Sequence, residues 1–115
     1  KVRHGDRHVE VSALDASIVR DRQPVIIDDI ASSGHTMLEV LKRLAPIGAR
    51  PATCIAVHAL LSRPAEEALR GAGAQRIVST NTIPHATNEI DVNATIVAAL
   101  GAWSEFSGVR DEVIK

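Results

Sequence analysis

Two neighbouring carboxylates, Asp28 and Asp29, are followed closely by Ser32, Ser33, Gly34, His35 and Thr36. Adjacent ionised acids repel, so hydrogen bonds, a cation or a ligand must offset them. Vicinal sugar hydroxyls do this well, because each can donate a charge-assisted hydrogen bond to a carboxylate. The hydroxyl-rich segment behind the acids leads into a helical pattern. At a helix N-terminus the first amides lack intrahelical acceptors and the dipole is positive, which favours an anion such as phosphate. Gly34 allows close backbone approach, and Ser32, Ser33 and Thr36 add donors. Acids for a diol and a cradle for an anion, both within Asp28–Thr36, describe a sugar-phosphate site. The plainer alternative is a solvated turn with Ser33 as an ordinary N-cap. The order of strand, acidic pair, Ser/Gly/Thr loop and amphipathic helix favours the ligand.

Those residues need a strand before them and a helix behind. Val25-Ile26-Ile27 is β-branched without alternation, which predicts a strand buried on both faces, as in parallel sheets. Asp28 and Asp29 then fall at its carboxyl end, where open α/β sheets bind ligands. From His35 to Ala45, Met37, Val40, Leu41 and Leu44 recur at helical spacing. Pro46 and Gly48 stop that helix. A second strand is expected over Thr53–Ala59, a helix over Pro64–Arg70 and a third strand over Arg76–Ser79. A brief strand, Ile90–Val92, precedes a helix from Ala94 to Trp103 with Asn93 as N-cap. Residues 1–12 read as an exposed hairpin or flexible loop with a strand at about 8–12. Residues 13–23 are mixed and end in a turn. The order β-α-β-α-β-β-α implies an α/β fold, a mainly parallel sheet flanked by helices.

Composition narrows the class. At 115 residues the chain makes a single domain; 45% is hydrophobic and 23% charged, which suits a globular protein. With one Trp, one Phe and no Tyr, the core must be aliphatic. A net charge of −1 gives no electrostatic case for nucleic acid or a membrane surface. No signal peptide or apolar run near the ~20 residues of a membrane span is visible, and the single Cys54 suits a reducing compartment, so a cytoplasmic location is expected. His4 and His8 stand with three residues between them, but no Cys pair or further His pair accompanies them, and two carboxylates are too few for a dedicated cage, so no intrinsic metal site is expected. His58 ends an apolar strand on the site's side; a structural role is the preferred reading.

The stretch Val25–Met37 resembles the phosphoribosyl-diphosphate binding motif of type I phosphoribosyltransferase folds. Three further segments are similar to the ribose-phosphate diphosphokinase (PRPP synthetase) family. Lys1-Val2-Arg3 resembles the Lys-x-Arg of its mobile catalytic loop. His58-Ala-Leu-Leu-Ser62-Arg-Pro64-Ala65 resembles its His-Gly-hydrophobic-hydrophobic-Ser-Gly-Pro-Ala segment. Thr80-Asn81-Thr82-Ile83-Pro84 matches its Thr-Asn-Thr-Ile-Pro segment in every residue. The resemblance runs from about Lys1 to Leu100. Four positions depart from the pattern: Ser32 stands where Asp is frequent, His35 replaces a common Gly, and Ala59 and Arg63 replace usual glycines.

The resemblance implies a phosphoribosyltransferase-like domain truncated at its N-terminal side, the C-terminal part of a two-domain enzyme. It implies diphosphoryl transfer from ATP to the C1 hydroxyl of ribose 5-phosphate, with Mg2+ carried by the nucleotide and held mostly by residues outside this chain. Lys1 and Arg3 are the implied catalytic cations, and residues 1–12 the catalytic loop. Asp28, Asp29, Ser32, Ser33, Gly34, His35 and Thr36 are the implied substrate-binding residues. Such a fragment is expected to be inactive alone, and its truncated sheet to associate with a second copy or a companion chain. Two alternatives stay open. A phosphoribosyltransferase that consumes the diphosphate shares Asp28–Thr36, and a non-catalytic regulatory subunit shares the fold. The role of Thr80–Pro84, at the site or in a subunit contact, is undecided from sequence.

Overall fold

The computed structural model describes residues 2–4, 8–10 and 15–107, with side chains from 15 to 103. Val2–His4 (β1) and His8–Glu10 (β2) pair antiparallel, with Arg3 opposite Val9. A short helix, Ala16–Val19 (α1), begins at Asp15, whose carboxylate accepts from the Ser17 amide at 2.9 Å and its hydroxyl at 2.7 Å. These bonds, the hydroxyl's first, hold the Asp15 carboxyl below the usual carboxylate range.

A four-stranded sheet then forms in the order β3-β4-β5-β6, from Val25–Ala31, Ala52–Ala59, Ala74–Thr80 and Asn88–Ile90. Every neighbouring pair is parallel. Helix α2, His35–Leu44, follows β3, and α3, Arg63–Gly71, follows β4. Pro46 and the left-handed Gly48 turn the chain through the 3-10 segment Ala45–Ile47 after α2. Helix α4, Asn93–Ser107, ends the described chain. The α/β architecture follows the sequence pattern, with one addition: α1 occupies a stretch expected to be irregular.

Met37 and Leu41 from α2 and Leu69 from α3 pack on Cys54, Ala56 and Ile77 of the sheet. Because most sheet positions under the helices are Ala or Cys, the helices lie close and their Leu and Met side chains fill the space. Cys54 is wholly inaccessible, and burial pushes its thiol up to about 11, which leaves it protonated and inert at neutral pH.

The expectation that Val25–Ile27 is covered on both faces is not met. Val25 is 57% and Ile27 69% exposed. Successive strand residues point to opposite faces, and among the described residues helices cover only the face bearing Cys54 and Ala56. No described strand pairs with the outer edge of β3. Helix α4 is similarly apolar, with Val97, Leu100 and Trp103 all exposed. Among the described residues no helix is long and apolar enough to cross a membrane.

Candidate functional site

The strand β3 runs further than its apolar core suggests. Asp28 and Asp29 lie inside it, and it ends at Ala31. The two carboxylates therefore stand on opposite faces of the strand, which relieves their repulsion. Asp28 accepts from the Asp29 amide at 3.1 Å, and Asp29 accepts from the Ile30 amide at 2.8 Å.

Beyond Ala31 the chain turns sharply into α2. Gly34 is the N-cap, with φ 72° in the left-handed region, and provides no side chain to cap the helix. An added Cβ there would stand 3.3 Å from Leu61 Cδ2 and 3.4 Å from Leu69 Cδ1. Glycine is thus required twice, by conformation and by space. Ser33 Oγ accepts from the His35 amide at 3.3 Å, while the Leu38 amide bonds the Gly34 carbonyl at 2.9 Å. The first-turn amides of Thr36 and Met37 are left without intrahelical acceptors.

The result is a small, open cleft lined by Asp28 and by Ile30 through Met37. It brings together Asp28, Ser32, Ser33, Gly34, His35 and Thr36. Asp29, next in the chain, is not part of this lining. A carboxylate at one end and helix-start amides at the other suit a small polyhydroxylated anion. Lys1 lies outside the described residues. Arg3 belongs to β1, within the antiparallel pair rather than the four-stranded sheet.

Residues distant in sequence hold the cleft in shape. Leu61, which abuts Gly34, is anchored through its backbone by His85. The Thr87 amide donates to His85 Nδ1 at 3.2 Å, which makes Nε2 the protonated nitrogen, and Nε2 donates to the Leu61 carbonyl at 2.8 Å. Glu66 Oε1 lies 3.6 Å from the same nitrogen. Thr80–Pro84 is also tied in: Thr80 and Thr82 hydroxyls both reach the Val57 carbonyl, at 2.6 and 3.0 Å. Neither the His85 clamp nor the prop formed by Leu61 and Leu69 is evident from sequence; the one local hint is the polar run that contains His85. Replacing His85 by Ala leaves the Leu61 carbonyl without this donor. We expect a loss of about 1–3 kcal/mol in stability, measured by urea unfolding; an unchanged midpoint would show that the clamp carries no weight.

Among the described residues no three or more His, Cys, Asp or Glu side chains gather as cation ligands. The acidic donors present suit the one or two carboxylates that accompany a Mg2+ ion held chiefly by substrate phosphates and water.

The model of the phosphoribosyl transferase domain matches residues 1–95. The chain belongs to this family. Among curated relatives, the ribose-phosphate pyrophosphokinase of Sulfurisphaera tokodaii is 34% identical over 73% of the chain and 29% of its own length. That of Saccharolobus solfataricus is 35% identical over 71% of the chain and 29% of its own length. The chain thus spans under a third of the curated relatives it matches. A phosphoribosylpyrophosphate synthetase from Mycobacterium smegmatis shares the fold with a TM-score of 0.63 and 24% identity, over 76% of this chain and 32% of that one. The phosphoribosyl transferase fold expected from Val25–Met37 is therefore the fold observed.

Proposed function

We propose that this chain is the ribose-5-phosphate-binding part of a ribose-phosphate diphosphokinase, which transfers the diphosphoryl group of ATP to the sugar's C1 hydroxyl and releases AMP. The observation that carries the reading is the cleft from Asp28 to Met37, which joins a carboxylate to the start of a helix whose Thr36 and Met37 amides have no intrahelical acceptor. The similarity to ribose-phosphate pyrophosphokinases over most of the chain supports it.

The 5-phosphate sits at the first turn of α2, taken by the backbone amides around Ser33–Thr36, with the Ser32, Ser33 and Thr36 hydroxyls as added donors and His35 at its rim. The ribose hydroxyls donate to Asp28, with Asp29 as the second acid. This fixes the sugar so that its C1 hydroxyl faces the incoming nucleotide. Phosphoryl transfer is chiefly positioning and neutralisation of spreading charge. Mg2+ supplies part of that neutralisation when bound with the nucleotide. Lys1 and Arg3 supply the rest, as the resemblance of Lys1-Val2-Arg3 to the Lys-x-Arg of the catalytic loop implies.

The chain's exposed Val25, Ile27 and α4 support association with a second copy or companion chain, in the cytoplasm where the nucleotide is available. Three assays on the intact protein separate this reading from its relatives. AMP released from ATP with ribose 5-phosphate is expected. Diphosphate release that depends on a nucleobase would make it a phosphoribosyltransferase, and neither activity despite sugar-phosphate binding would make it a regulatory subunit.

A further inference from the structure

The turn that leads into α2 is supported from beneath. Ser32 and Ser33 are exposed, and the connection from β4 to α3, residues 60–62, holds the turn by two contacts. The Leu60 amide donates to the carbonyl of Ala31, the residue before Ser32, at 2.8 Å. The Leu61 side chain lies against Gly34, where an added Cβ would stand 3.3 Å from Leu61 Cδ2. Whatever fixes residues 60–62 therefore fixes the start of α2.

His85 does this from the far side, and its partners have no choice of role. The Leu61 carbonyl can only accept, so Nε2, 2.8 Å away, carries a proton. The Thr87 amide can only donate, so Nδ1, 3.2 Å away, is the bare acceptor. The neutral ring is thus held between two backbone groups. Its own backbone is anchored in turn. The His85 amide donates to Asn88 Oδ1 at 2.9 Å, and Asn88 Nδ2 donates to the Thr80 carbonyl at 2.7 Å and to Ser79 Oγ at 2.9 Å. Ser79 is wholly inaccessible, and its amide donates to the Thr87 carbonyl at 2.9 Å. A continuous strut runs from the buried end of β5, through His85 and Leu61, to Gly34. It ends on the residue that starts α2, so slack anywhere along it reaches the Thr36 and Met37 amides.

We propose that His85 is a positioning residue for the anion end of the cleft: by holding the Leu61 carbonyl it keeps the helix-start amides in place for the phosphate, and so sets ligand affinity as well as stability. This rests on the ribose-5-phosphate reading of the cleft.

Two substitutions of like polarity and different reach test it. Gln reaches the Nε2 position, so His85→Gln can still donate to the Leu61 carbonyl. Asn reaches only the Nδ1 position, so His85→Asn can still accept from the Thr87 amide but leaves Leu61 without its donor. Two cavity variants serve beside them, since Leu61 and Leu44 are each 5% exposed. Leu61→Ala removes the contact on Gly34, whereas Leu44→Ala opens its cavity at the opposite end of α2. Binding of inorganic phosphate and of ribose 5-phosphate to the intact protein is measured by calorimetry, with thermal unfolding alongside. His85→Asn is expected to weaken both ligands by the same factor, about three- to tenfold, and His85→Gln to recover most of that loss. Leu61→Ala is expected to weaken both as well, while Leu44→Ala unfolds earlier and binds both at the wild-type level. Wild-type phosphate affinity in His85→Asn or in Leu61→Ala overturns the assignment, as does a loss of equal size in His85→Gln or in Leu44→Ala. Wild-type protein that binds neither ligand overturns the sugar-phosphate reading itself, and this assignment with it.

Discussion

Asp28→Asn is expected to reduce ribose-5-phosphate affinity by about 100-fold while leaving the fold intact. The carboxylate is half-buried at the cleft wall, and the change keeps the side chain's size. What disappears is the charge that accepts from the sugar hydroxyls. A hydrogen bond to a charged group contributes about 1.5–3 kcal/mol, and two hydroxyls share this acceptor. Stability should change little, because the remaining amide oxygen still accepts from the Asp29 backbone amide, now at 3.1 Å. Asp29→Asn is expected to have a smaller effect, since Asp29 lies outside the cleft lining and one of its oxygens already holds the Ile30 amide. Calorimetric titration of both variants with ribose 5-phosphate and with inorganic phosphate checks this. Sugar affinity at the wild-type level in both would remove the acids from the site; equal losses for phosphate and sugar would mean that the substitution disturbed the helix start instead.

The part of this site legible in the sequence is the part that is local. Strand, turn and helix follow one another from Val25 to Leu44, so the hydrophobic pattern, the hydroxyls and Gly34 locate the cleft almost residue for residue. Local pattern placed the end of β3 too early, because aspartate is a poor strand former. Pairing of Ile30 and Ala31 with His58 and Ala59 keeps the strand going regardless. The four-residue helix α1 is too short to show a period, and only Asp15 and Ser17 mark its start. An apolar run likewise does not reveal how many faces have partners, which is why Val25 and Ile27 were expected inside and stand exposed. The contacts that brace the site were out of reach for a different reason. His58 to Thr82 and His85 to Leu61 each span 24 residues, and no spacing rule links positions that only the packed sheet brings together.

Gly34 provides the severest test of the anion-binding end. Its φ of 72° costs a residue with a Cβ about 1–2 kcal/mol. Space adds to this, since that Cβ would meet Leu61 at 3.3 Å and Leu69 at 3.4 Å. Leu69 is 1% and Leu61 5% exposed, so neither can move without disturbing the core. Gly34→Ala is therefore expected to lower stability by about 2–4 kcal/mol. The backbone can relieve the strain only by rotating away from the left-handed region, which displaces the helix-start amides that the proposed function gives to the phosphate. Phosphate and ribose 5-phosphate should then both weaken by more than tenfold, in contrast to Asp28→Asn, where only the sugar suffers. Leu61→Ala in the same background separates the two causes. It removes the closest contact but not the conformational strain, and sacrifices a buried side chain, so it should recover none of the phosphate affinity. Wild-type phosphate binding in folded Gly34→Ala would show that the anion is held elsewhere than at the start of α2.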